Sequence, residues 1–259
     1  MYVCTAISKK GMKIITDINE FRATPCAATI GSFDGVHLGH RAMLGELQAR
    51  AAERGLPVVV ITFARHPRLL FDAHRSSFLL SDNREKVTLL ESSGADYCVM
   101  LNFDAEMASM SAECFMKDIL REKLGVELLC VGYDHHFGKP RTDEGFEQYA
   151  EYGRALGMEL FMASPFFMDD IAVSSSKVRR ALSAGDISLA KMLLGYDYSF
   201  SGSVTHGAGI GRSLGFPTAN IHDSFIFLSV EKHTHGIYAI GRQQFHIIVQ
   251  KNIGCREAQ

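Results

Sequence analysis

The sequence predicts an α/β chain: an open parallel sheet with helices on both faces, followed by a smaller all-β segment. Three observations predict it. Short apolar runs alternate with amphipathic segments over the first two-thirds of the chain, the pattern of repeated β-α units. The run PVVVITF (57–63) is apolar and β-branched almost throughout, as a strand buried on both faces of a parallel sheet must be. After Gly195 helical periodicity stops, and a glycine-rich stretch leads into further strand-like runs.

The elements follow in order. AATIGSF (27–33) reads as the first strand, and GHRAMLGELQARAAERG (39–55) as a helix with Met43, Leu44, Leu47 and Ala51 on one face. PVVVITF is the second strand of this series. SDNREKVTLLESSG (81–94) reads as a helix with Ser81 as its cap and Gly94 as its stop. ADYCVML (95–101) is a strand. SAECFMKDILREKLG (111–125) is a helix capped by Ser111 and ended by Gly125. ELLCVGYD (127–134), DEGFEQYAEYGRALG (143–157) and MELFMAS (158–164) add a strand, a helix and a strand. SSSKVRRALSAGDISLAKMLLG (174–195) holds two short helices split at Gly185-Asp186. FIFLSV (225–230), HGIYAIG (235–241) and FHIIVQKNIG (245–254) read as strands. The expected division is a short disordered extension (1–11), an α/β domain (12–197) and a small β domain (198–259). Met12 opens a more natural start than Met1.

Composition narrows the function. A net charge of −2 and the lack of a polybasic tail disfavour duplex nucleic acid as a partner. No apolar run reaches the roughly 18 residues of a membrane span, and two lysines interrupt any signal-peptide core at the N-terminus. The expected compartment is therefore the cytoplasm, with no membrane partner. The six cysteines include no C-x-x-C pair, which argues against zinc knuckles and dithiol redox chemistry. Most lie in apolar runs and are expected to be buried, reduced thiols. The sequence leaves the oligomeric state open.

The stretch TIGSFDGVHLGH (Thr29 to His40) ends the first strand and starts the first helix. Ligands of open α/β sheets bind beyond the carboxyl ends of the strands. A helix N-terminus there favours phosphate. Gly31, Ser32, Phe33, Asp34 and Gly39 form the turn, whose glycines let backbone N–H groups approach a ligand. His37 and His40 add donors where charge would build up on a reacting phosphorus. No Lys-Ser/Thr follows the glycines, so the turn is not a Walker A loop. Farther on, VSSSKVR (173–179) offers a second half-site. Ser174, Ser175 and Ser176 can cap a helix and present N–H groups, and Arg179 can clamp phosphate oxygens bidentately.

HLGH resembles the His-x-Gly-His signature of the nucleotidyltransferase superfamily, and VSSSKVR resembles its serine-arginine motif. With ITFARHP (61–67) and VGYDHHFG (131–138) between them, the order is similar to the adenylyltransferase module of bacterial FAD synthetases. GAGIGRSLGFPTAN (207–220) resembles the loop of that family's second module, a riboflavin kinase. The resemblance implies a Rossmann-like nucleotidyltransferase sheet followed by a β-barrel. It implies adenylyl transfer from MgATP to FMN, giving FAD and pyrophosphate, with His37, His40 and Arg179 at the reacting phosphates. His66, Asp134 and Phe137 would line the nucleotide or flavin pocket, and Asp34 would hold the first helix turn or orient the flavin phosphate. In the kinase-like module it implies Gly209, Gly211 and Arg212 in the loop, with Thr218 and Asn220 on Mg2+ and nucleotide, and riboflavin as substrate.

Three departures qualify the resemblance. Ala64-Arg65 stand where the family has a carboxylate beside the nucleotide. His135-His136 replace aromatic and basic residues, and as strand neighbours they face opposite ways, which disfavours a metal site. The family's barrel continues past NIGCREAQ, so the kinase half is expected to be incomplete and impaired. The alternatives are a fully bifunctional enzyme, or a C-terminal part that only binds flavin or nucleotide. Other adenylyltransferases share the histidine turn but lack a GRSLGFPTAN segment. Class I aminoacyl-tRNA synthetases also need RNA-binding domains.

Overall fold

A computed structural model of the chain describes residues 11–22, 24–67, 79–133, 145–205, 220–222, 235–240 and 245–250. The chain divides into two compact units. One takes Met1–Phe33, His40–Asp72 and Glu85–Pro165, the other Asp34–Gly39, Ala73–Arg84 and Phe166–Gln259.

The first unit is built on a six-stranded sheet. Its strands are β1 (Lys13–Ile15), β2 (Cys26–Ile30), β3 (Val58–Phe63), β4 (Tyr97–Leu101), β5 (Val126–Val131) and β6 (Glu159–Met162), in the order β1-β4-β3-β2-β5-β6. Every pairing is parallel, with Thr29 opposite Val60 on one side and Cys130 on the other. All residues of β2 and β3 are buried, as their unbroken apolar runs require. Helix α1 (Leu38–Glu53) buries Met43, Leu44, Leu47 and Ala51, the face its spacing predicts. Ile30, Ile61, Val99 and Leu129 from four neighbouring strands share a core with Phe115, Met116 and Leu120. Those three lie on a helix that begins as Ala112–Cys114, capped by Ser111, and continues in π form over Phe115–Lys123. The remaining helices of the β-α series are α2 (Asn83–Glu91) and Phe146–Ala155.

Several expectations need correction. The first strand ends at Ile30, not residue 33. Gly31 still donates to the Ile61 carbonyl, but Phe33 then turns left-handed and the chain leaves the sheet. The 127–134 strand ends at Val131. Ser81 does not cap its helix, which starts at Asn83. Its hydroxyl instead accepts the Gly35 N–H at 3.0 Å. Elements that carried too weak a periodicity to be predicted include the three-residue edge strand β1 and the one-turn helix Ala105–Ser109, whose Asp104 cap accepts the Met107 N–H. Cys26, Cys98 and Cys130 are buried thiols, which burial pushes up to about 12, 11 and 12, while Cys114 is exposed. Residues 1–10, Cys255, FIFLSV and His135-His136 lie outside the described residues.

In the second unit, β7 (Phe167–Met168) and β8 (Ile171–Ala172) form a small hairpin. Two helices follow, Ser175–Ser183 and Ile187–Leu194, split at Gly185-Asp186 as the sequence predicts. Val178, Leu182, Ile187, Leu193 and Tyr198 form their core with Leu80 and Val173. A four-stranded antiparallel sheet takes the order β10-β9-β12-β11, from β9 (Ser199–Thr205), β10 (Asn220–His222), β11 (His235–Ile240) and β12 (Phe245–Gln250). No helix among the described residues is long and apolar enough to cross a membrane.

Candidate active site

Strand β2 has β3 on one side and β5 on the other, so the chain winds away from it in both directions. That reversal is the topological switch point at which open α/β sheets bind their ligands. The turn from Gly31 to His37 leaves the carboxyl end of this strand and delivers the chain to α1. His37 immediately precedes the helix, and His40 lies in its first turn, where backbone N–H groups have no partner within the helix. Phe33 is fully buried and its ring lies 5.0 Å from that of His40. The Ser32 carbonyl accepts from the Thr62 hydroxyl at 3.2 Å.

Asp34 organises the second half of the turn. It is 3% exposed. Its Oδ1 accepts the Leu80 N–H at 2.8 Å and the Ser81 N–H at 3.1 Å, and its Oδ2 accepts from the Arg179 guanidinium. The Asp34 carbonyl accepts from the Ser175 hydroxyl at 3.0 Å. Ser174 caps the helix that carries Ser175 and Arg179, accepting the Lys177 N–H. Gly39 completes the join. A Cβ there would lie 3.2 Å from both the His37 ring and the Val173 carbonyl, so a side chain would press the two segments apart. The HLGH turn and the serine-arginine helix, more than a hundred residues apart in sequence, thus meet through one carboxylate, one hydroxyl and one missing side chain.

The electrostatics follow from that packing. Burial holds the Asp34 carboxyl above the ordinary carboxylate value, outweighing the opposing pull of Arg179 and the two backbone donors. His37 is 5% exposed. Burial first, and the Arg179 guanidinium second, push its imidazole down to about 4, so it is neutral at pH 7. A neutral imidazole beside a guanidinium suits a site for phosphate, because it donates without itself having to be ionised.

This depressed value makes native stability depend on pH. Between about 4 and the ordinary 6.5, the unfolded chain takes up a proton at His37 that the native chain refuses. The contribution is full above pH 6.5, falls as pH drops toward 4, and totals at most on the order of 3 kcal/mol. Urea unfolding of wild type and His37→Gln between pH 7.5 and 4.5 checks it: wild type loses more stability than the variant as the pH falls. Parallel curves would remove the effect.

Of the residues singled out from sequence, Asp34, His37, Gly39, Ser174, Ser175 and Arg179 are joined by these contacts or by the helix that carries them. Ser176 follows Ser175 on an exposed position. Gly31, Ser32, Phe33 and His40 belong to the same continuous turn. His66 is half-buried, three residues past β3. Asp134, Phe137, Gly209, Gly211, Arg212 and Thr218 lie outside the described residues, and Asn220 is placed only as the first residue of β10. Sequence reasoning missed Leu80, Ser81 and Tyr196, whose hydroxyl donates to the Gly35 carbonyl at 2.6 Å. Ser81 carried a signal, a polar residue before a helix, but it pointed to capping. Tyr196 carried none.

Comparison with known proteins gives this arrangement a family. A family model described as FAD synthetase matches residues 20–177, and one described as riboflavin kinase matches 194–257. The chain belongs to the bifunctional riboflavin kinase/FAD synthetase family. Relatives of this family member include the bifunctional riboflavin kinase/FMN adenylyltransferase of Escherichia coli K12. It is 38% identical over 213 residues, which cover 81% of this chain and 68% of the relative. The protein of that name from Pseudomonas fluorescens is 41% identical over 76% of this chain and 62% of its own length. The one from the Acyrthosiphon pisum strain of Buchnera aphidicola is 32% identical over 88% and 72%. A crystal structure of a macrolide-efflux protein from Streptococcus pneumoniae matches with a TM-score of 0.71 at 21% identity, covering 94% of this chain and 86% of that one. At that identity the likeness is one of fold.

Proposed function

We propose that the chain transfers the adenylyl group of MgATP to FMN, forming FAD and releasing pyrophosphate. A terminal phosphate oxygen of FMN attacks the α-phosphorus in line. The new P–O bond forms as the bond to the β-phosphate oxygen breaks, and the pyrophosphate leaves with its electron pair. The FMN phosphate is already ionised near neutral pH, so the site's tasks are alignment and charge stabilisation rather than proton abstraction. Mg2+ enters with the nucleotide as part of the substrate and neutralises charge on the phosphate oxygens.

The residues divide that work. His37 and His40 donate to the α- and β-phosphate oxygens as negative charge develops. The N–H groups at the start of α1 and of the Ser175–Ser183 helix cradle the phosphates, with Gly31, Ser32, Phe33 and Gly39 shaping the approach. Arg179, oriented by Asp34, holds the departing pyrophosphate. Asp34 itself is buried and filled with donors, so its role is to fix the turn rather than to touch phosphate. His66, Asp134 and Phe137 take the nucleotide and flavin side.

The observation that carries this reading is the HLGH turn, which follows the switch-point strand in sequence and whose neighbour Asp34 is bonded to the serine-arginine helix. The match of residues 20–177 to FAD synthetases supplies the acceptor. Purified protein with MgATP and FMN is expected to release FAD and pyrophosphate in equal amounts. No FAD from folded protein would refute the reading. Residues 194–257 support a second activity, phosphorylation of riboflavin to FMN. Replacing FMN by riboflavin tests it separately, by whether FMN accumulates.

A further inference from the structure

Gly35 is gripped by side chains at both of its backbone polar groups. Its N–H donates to the Ser81 hydroxyl at 3.0 Å, and its carbonyl accepts from the Tyr196 hydroxyl at 2.6 Å. The backbone between them is not relaxed. Phe33 has φ 48°, Gly35 φ 73° and Val36 φ 33°, and for a β-branched residue such as Val36 that region is disfavoured. Backbone of this kind persists only where its surroundings over-determine it. His37 is the next residue.

Tyr196 comes from outside the β-α series. It follows the Ile187–Leu194 helix and lies in the stretch 194–257 that matches the riboflavin kinase model. Its neighbours are anchored. Asp197 pairs with Lys191 at 2.8 Å, and Tyr198 is buried in the core that Val173 and Val178 share. The hydroxyl of Tyr196 is therefore presented to Gly35 from a fixed backbone. Resting on the adenylyl-transfer reading above, we propose that Tyr196 is a positioning residue for that reaction. It holds the strained Gly35–Val36 backbone so that His37 meets the phosphates, and it ties the kinase-like segment to the histidine turn.

Tyr196→Phe in the full chain tests this, because it removes the hydroxyl and keeps the ring. Two readouts are needed. Amide hydrogen exchange of peptides covering residues 32–40 is expected to quicken about 3- to 10-fold, the scale of one lost neutral hydrogen bond. The kcat for FAD formation is expected to fall by a similar factor, with KM for MgATP and FMN within about twofold, since alignment rather than binding is lost. Ser81→Ala, which frees the N–H of the same residue, is expected to behave alike, and the double variant to lose less than the product of the two. Unchanged exchange at 32–40 would overturn the proposal whatever the activity. So would faster exchange with kcat intact. Faster exchange in a protein whose wild type makes no FAD would instead sink the adenylyl-transfer reading and leave the grip on Gly35 standing.

Discussion

Asp34→Ala is expected to destabilise the native chain by about 3–5 kcal/mol, the cost of stranding one member of a buried ion pair. Three donors lose their acceptor at once: the Leu80 and Ser81 N–H groups and the Arg179 guanidinium. Arg179 is 7% exposed, so its charge has no easy route to water. At about 2–4 °C per kcal/mol for a chain of this size, thermal unfolding should move down by roughly 6–20 °C. Removing both partners in Asp34→Ala/Arg179→Ala is expected to cost less than the sum of the single changes, because no uncompensated charge remains. Thermal melts of the three variants decide it. An Asp34→Ala protein as stable as wild type would show that the carboxylate does not organise the turn.

The largest effect on turnover is expected at the histidines. His37→Ala or His40→Ala should lower kcat for FAD formation by about 10²-fold or more, the scale of one donor lost from a developing negative charge. The two positions differ in what else they support. His37 is buried and packs against Gly39, so its removal also opens space, whereas His40 is half-buried at the start of α1. His37→Asn, which keeps a donor in a smaller side chain, should retain more activity than His37→Ala. Steady-state rates on variants shown by circular dichroism to be folded measure it. Near-wild-type turnover in either alanine variant would remove that histidine from the chemistry.

Both expectations bear on how the site could be read beforehand. The place of HLGH was legible, because an apolar run before it and an amphipathic run after it mark a strand-to-helix turn, and β2 and α1 flank it. The Ser174 cap and the split at Gly185-Asp186 were legible because capping is local: Ser174 reaches Lys177, and Asp186 reaches Leu189. Ser81 misled for the same reason. Its local context suggested a cap, while its actual partner is Gly35, 46 residues away. That Asp34 holds the turn or orients a phosphate is as far as its local context goes; the partners of its carboxylate, a segment 46 residues on and a helix 145 residues on, leave no local trace.

By itself, then, the amino-acid sequence determined the β-α series, the buried face of α1, the glycine-histidine turn between strand and helix and the change to strands after Gly195. These rest on periodicity, capping and backbone freedom, which act over a few residues and leave a pattern in the chain. Only the tertiary structure decided the strand order that puts the turn at the switch point, the pairing of Asp34 with Arg179, and the grip of Ser81 and Tyr196 on Gly35. Those depend on which donors the folded backbone brings within about 3 Å of which acceptors. Across 161 residues, as between Tyr196 and Gly35, no local pattern records that choice.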